Sequence, residues 1–462
     1  MSKSANKDEL FQRVSVPRAL LTMAVPTIIS QLITLIYNIA DTWFIGRTNN
    51  PYMIGAASLV LTVFLVTVSL ANVFGVGGGS LVVRLLGRQR PDEARNVAGY
   101  SLIFASVSAL TFSILCLILL NPMLRLLGAS DNTIGYARQY LIFVVIIGAL
   151  PTVLSITMSS ILRNVGYAKE AGFGLALGGV LNILLDPLFM FVILPDGYQV
   201  MGAAIATLLS NIVSVLFFVF VYRRVKRKSV LEIPKRFYRI EPESKRSLFS
   251  VGIPAGLSLF LFDLTNIFIN RLSSAHGDIE LAAVGLILKV ERLPLNIGVG
   301  ICLGMVPLVA YNYASGNIPR MKAFFRAARN AGLVISVICV VLYRIFAHYV
   351  IRAFIDDAET VRLGTKFLQA RCYATPFMFL SFHMVHFMQA VDRGKISFRL
   401  ALIRQLCLNI PILFLLNALF GMTGIVWTQA TADAINVICS YLIYFRVLPE
   451  IVSGKKQAKK LA

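Results

Sequence analysis

Four polar side chains stand inside otherwise apolar stretches of the chain: Asp41, Asn182, Asp186 and Thr207. A carboxylate in a hydrocarbon environment costs on the order of 3 kcal/mol, so such acids are paired, line a watery cavity or bind something. Asn182 and Asp186 are four residues apart, hence on one helix face. Pro187 leaves the carbonyl of Ile183 without its usual amide donor. Two carboxylates, an amide oxygen, a hydroxyl and a freed backbone carbonyl form an oxygen-rich set that suits a hard cation such as Na+. Two carboxylates brought together also hold a proton, so the residue types leave Na+ and H+ both open. Tyr37 and Asn38, one turn before Asp41, extend the same polar neighbourhood. A purely structural reading competes, in which Asn182 and Asp186 satisfy a proline-kinked helix and Asp41 sits among headgroups near Arg47.

The elements that must position these residues follow from composition. Of 462 residues, 57% are hydrophobic and 14% charged, whereas soluble proteins run near 45–50% and about 25%. Mean hydropathy is +0.76, and the apolar runs are about 20 to 30 residues, enough to cross a ~30 Å hydrocarbon core. That excludes a water-soluble enzyme and predicts an all-α, polytopic membrane protein. Twelve spans can be placed: 18–44, 53–83, 97–120, 137–162, 171–194, 201–222, 248–270, 281–310, 330–351, 367–391, 400–420 and 423–445. The polar start, Met1 to Pro17, has no apolar core followed by a small-residue cleavage site, so no signal peptide is expected. Six cysteines without CxxC spacing suggest neither a disulfide framework nor a zinc site.

The excess of basic residues, 44 Lys and Arg against 22 Asp and Glu, reads as cytoplasmic loops, not nucleic-acid binding. On this map 32 of the 44 fall on the side holding both termini. Only seven (Arg47, Arg125, Arg138, Arg271, Arg352, Arg362 and Lys366) fall on the other. Both termini are therefore expected in the cytoplasm of a multi-pass protein of the plasma (inner) membrane. At 1.5 Å per helical residue, Asp41, Asp186 and Thr207 all lie in the outer half of their spans.

The most basic connection, 223–247, sits mid-chain and divides two related halves, 18–222 and 248–445, flanked by a cytoplasmic segment 1–17 and a basic tail 446–462. Pro26 answers Pro254, Ile54-Gly-Ala-Ala-Ser-Leu59 answers Leu281-Ala-Ala-Val-Gly-Leu286, and Leu181-Asn182-Ile183 answers Leu408-Asn409-Ile410. Six spans per half give both copies one orientation. The expected fold is two six-helix lobes related by a pseudo-twofold axis along the membrane normal, an alternating-access architecture.

Four stretches together resemble the multidrug and toxic compound extrusion (MATE) transporters. They are Ile39-Ala-Asp41-Thr42-Trp-Phe-Ile-Gly46, Leu162-Arg163-Asn164-Val-Gly166, Asn182-Ile-Leu-Leu-Asp186-Pro187 and Gly202-Ala-Ala-Ile-Ala-Thr207. The resemblance implies export of amphipathic, often cationic organic compounds in exchange for Na+ or H+. Gly75-Val-Gly-Gly-Gly79 lacks the Gly-Lys pair of a nucleotide-binding loop, which argues against direct use of ATP. The expected partners are small organic substrates and membrane lipids, with no nucleic acid and no organic cofactor beyond the coupling ion, for a protein acting as a monomer.

In the second half, Asp263 and His383 are candidates to line a cavity. One branch of the resembled family binds its cation with carboxylates of the seventh and tenth spans. Here the tenth offers His383 instead, and Asp263 can equally form a buried ion pair with Lys289 or Arg292. A flippase for a lipid-linked saccharide would use the same fold but calls for more basic residues inside the first six spans, which hold acids and none of the five intramembrane bases Lys289, Arg292, Arg344, Arg371 and Arg404. A membrane-embedded enzyme has no His-Glu-x-x-His or Gly-x-Ser-x-Gly to support it.

Overall fold

Short polar caps and prolines decide where several helices begin. Asn50 accepts the amide of Tyr52 at 3.0 Å ahead of Pro51, and Asn317 accepts that of Arg320 at 3.2 Å ahead of Pro319. Both satisfy an amide that the first turn leaves without a partner. Exposed Asp357 takes the amide and hydroxyl of Thr360 at 2.8 and 2.6 Å, bonds that hold its carboxyl below the ordinary value.

The computed structural model describes residues 5–225, 230–231 and 240–458. After a short helix, Ala5–Gln12, the first half holds α1 (Val16–Gly46), α2 (Pro51–Gly87), α3 (Pro91–Ile118), α4 (Ile134–Ile147 and Ala149–Asn164), α5 (Ala168–Ile193) and α6 (Gln199–Val225). The second holds α7 (Pro242–Ser274), α8 (Asp278–Ser315), α9 (Ile318–Arg352), α10 (358–390), α11 (Gly394–Phe420) and α12 (Met422–Ala458). Among the described residues there is no strand, and nine helices are long and apolar enough to cross a membrane, ten with the bent α4. Helices α7 and α10 stand where the sequence places the seventh and tenth spans, completing a twelve-helix, multi-pass fold.

Two spans are less regular than their hydropathy implies. Helix α4 bends by 47° after a widened turn over Ile142–Ile147. A side chain on Gly148 would overlap the Val144 carbonyl, so only glycine closes that turn. Helix α10 is interrupted by a 3-10 turn, Cys372–Ala374, before Pro376.

The helices gather into two units, one of Met1–Val14 with Val25–Gly256 and one of Ser15–Ala24 with Leu257–Ala462. Each therefore includes the start of a helix whose remainder belongs to the other. In the first unit, a Cβ on Gly77 would lie 2.5 Å from the Leu248 carbonyl, and one on Gly252 would overlap that of Val73. The glycine run of α2 thus serves close helix approach, Gly77 to α7, Gly78 to Ser101 of α3, and Gly75 and Gly79 to Ser160 and Asn164 of α4, and needs no ligand. In the second unit, Gly304 of α8 brings its backbone onto Ala24, where a Cβ would lie 2.6 Å from the Cα. Of the basic connection, 226–229 and 232–239 lie outside the described residues.

Helix α5 is held in the first unit by glycines on two faces. A Cβ on Gly172 would stand 2.5 Å from the Pro26 carbonyl and one on Gly179 would stand 3.1 Å from Tyr37 Cδ1, both of α1, while one on Gly178 would strike Ser214 of α6. Because the obstacle at Gly172 is backbone, Gly172→Ala is expected to destabilise the protein by about 1–3 kcal/mol through overpacking. Thermal melting in detergent checks this, and an unchanged midpoint would show that α1 and α5 can part freely.

Candidate cation site

The close approach of α5 to α1 and α6 decides which polar groups meet. Pro187 cannot donate to the Ile183 carbonyl, and α5 ends in a widened turn over Phe189–Ile193. Gly202, near the start of α6, seats on that turn, where a Cβ would be 2.8 Å from the Phe189 carbonyl. This contact places Thr207 level with Asn182. The Asn182 amide donates to Asp186 Oδ1 at 3.2 Å and to Thr207 Oγ1 at 3.3 Å, with Asn182 2% and Asp186 0% exposed. From α1, Asp41 and Tyr37 lie within electrostatic reach of Asp186. From α4, Tyr140 stands beside Asp41.

The electrostatics are unbalanced. Asp41 Oδ1, Asn182 Oδ1 and Asp186 Oδ2 are all buried and accept no hydrogen bond from any described group. Leaving a buried acceptor without a donor costs about 1–3 kcal/mol, more when it is charged. Three such oxygens in one pocket call for a positive species. A proton would serve one carboxylate. A metal cation would need more oxygens, and turning the Asn182 amide over would replace the NH2 group that now faces Asp186 and Thr207 with an accepting oxygen. The donor set is thus chemically suited to Na+ or to H+. No cluster of three His, Cys, Asp or Glu suited to a metal occurs among the described residues.

The other candidates fare differently. Asn38 is exposed and donates back to the Thr34 carbonyl of its own helix at 2.7 Å. Its bond is thus to its own helix, and none joins it to Asn182, Asp186 or Thr207. Arg47 lies over the Trp43 ring at 5.1 Å. His383 is fully buried between Phe325 and Phe379, with Nε2 3.1 Å from the Phe325 carbonyl. That is a packed core position, not a cavity wall. The side chain of Asp263 lies outside the described residues. Tyr140 was not singled out from sequence, since tyrosines near span ends are common anchors and no spacing marks this one.

A family model, MatE, matches residues 26–188 and again 254–415. The chain belongs to the MATE family. The two matches begin at Pro26 and Pro254, the paired prolines of the repeat, and MATE proteins are transporters, not enzymes. The chain is 30% identical to the multidrug export protein MepA of Staphylococcus saprophyticus, over 98% of this chain and 99% of that one. It is 29% identical to MepA of Staphylococcus aureus strain MRSA252, over 95% and 96%. Among solved structures, an outward-facing multidrug resistance MATE transporter of the MOP superfamily superposes with a TM-score of 0.89 at 24% identity, covering 96% of this chain and 98% of that one. A MOP superfamily transporter from Pyrococcus furiosus gives 0.88 at 24% over the same shares. These likenesses establish the two-lobe, twelve-helix MATE fold.

Proposed function

We propose that this MATE protein is a secondary antiporter that exports amphipathic, cationic organic compounds in exchange for Na+ or H+ by alternating access. One observation carries the coupling half of this reading: the three donor-less buried oxygens of Asp41, Asn182 and Asp186 in one pocket. A site that lacks one positive charge binds a cation in the conformation that assembles it, and a ligand shifts a conformational equilibrium only by its differential affinity. The names of the staphylococcal relatives support drug-like compounds as cargo. No organic cofactor enters the scheme, since the coupling ion supplies the driving force.

Accumulation of a fluorescent organic cation in cells is the direct test. Cells making the protein should accumulate less than cells without it, and the difference should vanish when both ion gradients are collapsed. Equal accumulation would instead favour a lipid flippase on the same fold. We further place both termini in the cytoplasm, from the 32 to 7 segregation of basic residues. A cysteine introduced at Ser453 of a cysteine-free variant should react with an impermeant maleimide only after cells are opened, and labelling of intact cells would reverse the topology.

A further inference from the structure

The second unit contains a counterpart of the cation site, made from the same helix pair of its half. Gly202 of α6 seats on the backbone of Phe189, and Gly424 of α12 seats on that of Leu416, 227 positions further on. The shared contact sets the register between the copies. Five residues after each glycine stand Thr207 and Gln429; nine after stand Asn211 and Asp433. On the facing helices, Asn182 of α5 answers Asn409 of α11.

The chemistry of the two clusters differs in one respect. In the first unit Asp186 takes one hydrogen bond, from Asn182. In the second, Asp433 is 0% exposed, and both its oxygens are met by Arg404 of α11, Nε at 2.5 Å and a terminal nitrogen at 3.0 Å. Gln429 donates to Oδ2 at 2.5 Å and Ser381 to Oδ1 at 3.4 Å, with Asn436 supporting Ser381 at 2.9 Å. The guanidinium also lies over the Phe382 ring at 4.6 Å and the Phe262 ring at 5.7 Å. A planar, bidentate fork fits a carboxylate in a way that a free ion does not. Among the described residues of the second unit no buried carboxylate oxygen is left without a partner; the buried atoms left over there, the amide oxygens of Asn409 and Asn436 among them, belong to uncharged groups.

We infer that Arg404 is a built-in cation: it fills the place at Asp433 that an exchangeable ion would take, and so withdraws the second unit from ion coupling. The inference rests on the proposed coupling only in its last clause. The claim that removing Arg404 opens an ion site stands on the geometry of the second unit alone.

The test compares ions bound per molecule, by equilibrium binding of radioactive Na+ and by proton uptake on a pH step, for purified wild type, Arg404→Gln and Arg404→Gln/Asp433→Asn. Arg404→Gln should bind one Na+ or one H+ more than wild type, because it leaves Asp433 charged among Ser381, Gln429 and Asn436. The double variant should return to the wild-type number and keep gradient-driven transport. If Arg404→Gln fails to fold while the double variant folds with the wild-type number, the result still supports charge compensation, because removing both charges repairs what removing one breaks. A folded Arg404→Gln with no added ion would overturn the inference. So would a double variant that binds fewer ions than wild type, since Asp433 would then be a working ion ligand. Loss of all ion binding by wild type itself would sink the proposed coupling and leave the gain in Arg404→Gln to be judged separately.

Discussion

Cells carrying Asp41→Asn are expected to lose resistance to organic cations down to the level of cells without the protein, with the variant still present in the membrane in normal amount. Asparagine keeps the shape of the side chain and an oxygen facing Tyr140, so the packing of α1 around it should survive. The charge does not survive, and in the proposed antiport that charge is what distinguishes the ion-bound from the ion-free conformation. Moving a two-state equilibrium from 1:99 to 99:1 takes about 5.5 kcal/mol of differential binding. With one of its two carboxylates neutral, the pocket can no longer supply that difference, and gradient-driven export should fall roughly a hundredfold. Initial rates in proteoliposomes, normalised to protein that elutes as a single species, provide the measurement. Export at the wild-type rate would remove Asp41 from the coupling site.

Asp186→Asn should separate binding from coupling. Asp186 is the fully buried member of the pair, bonded only to Asn182 among described groups. An amide in its place can pair with that neighbour but takes up no proton in the working range and brings no negative charge to hold a cation. Substrate binding, which draws on apolar and aromatic contacts, should persist within a few-fold by fluorescence titration. An imposed inward Na+ or H+ gradient should drive export by wild type and have no effect on the variant. A variant that responds fully to the gradient would show that the ion binds elsewhere.

Much of the first site can be read from sequence because it lies within short range along the chain. Asn182 and Asp186 share a face by the four-residue rule, Pro187 announces a freed carbonyl, and an acid such as Asp41 in an apolar run is costly enough to be noticed. What the sequence does not show is what depends on departures from helical regularity or on distant pairing. Tyr140 stands just ahead of the widened turn at Ile142–Ile147, so regular periodicity does not predict its face. Asn38 lies beside Tyr37 in sequence yet bonds back to the Thr34 carbonyl of its own helix, a choice that no spacing announces. In the second unit, Arg404 and Asp433 both stand out as intramembrane charges, but nothing in their 29-residue separation says that they are bidentate partners. The same holds for Glu291 and Arg371, which pair at 2.6 Å across 80 residues.

The exchange of helix starts between the units bears on how the protein is made. The ribosome delivers Ser15–Ala24 first, yet that segment belongs with the unit formed from Leu257 onward, and Gly304 must emerge before Ala24 has its neighbour. The first unit in turn waits for Leu248 and Gly252, at the far end of the basic connection, to close its α2 glycines. Order of synthesis and order of completion therefore differ, and neither half of the duplicated sequence corresponds to a finished folding unit. Cutting the chain at the basic connection would therefore part each unit from residues it needs, Ser15–Ala24 from the second and 242–256 from the first.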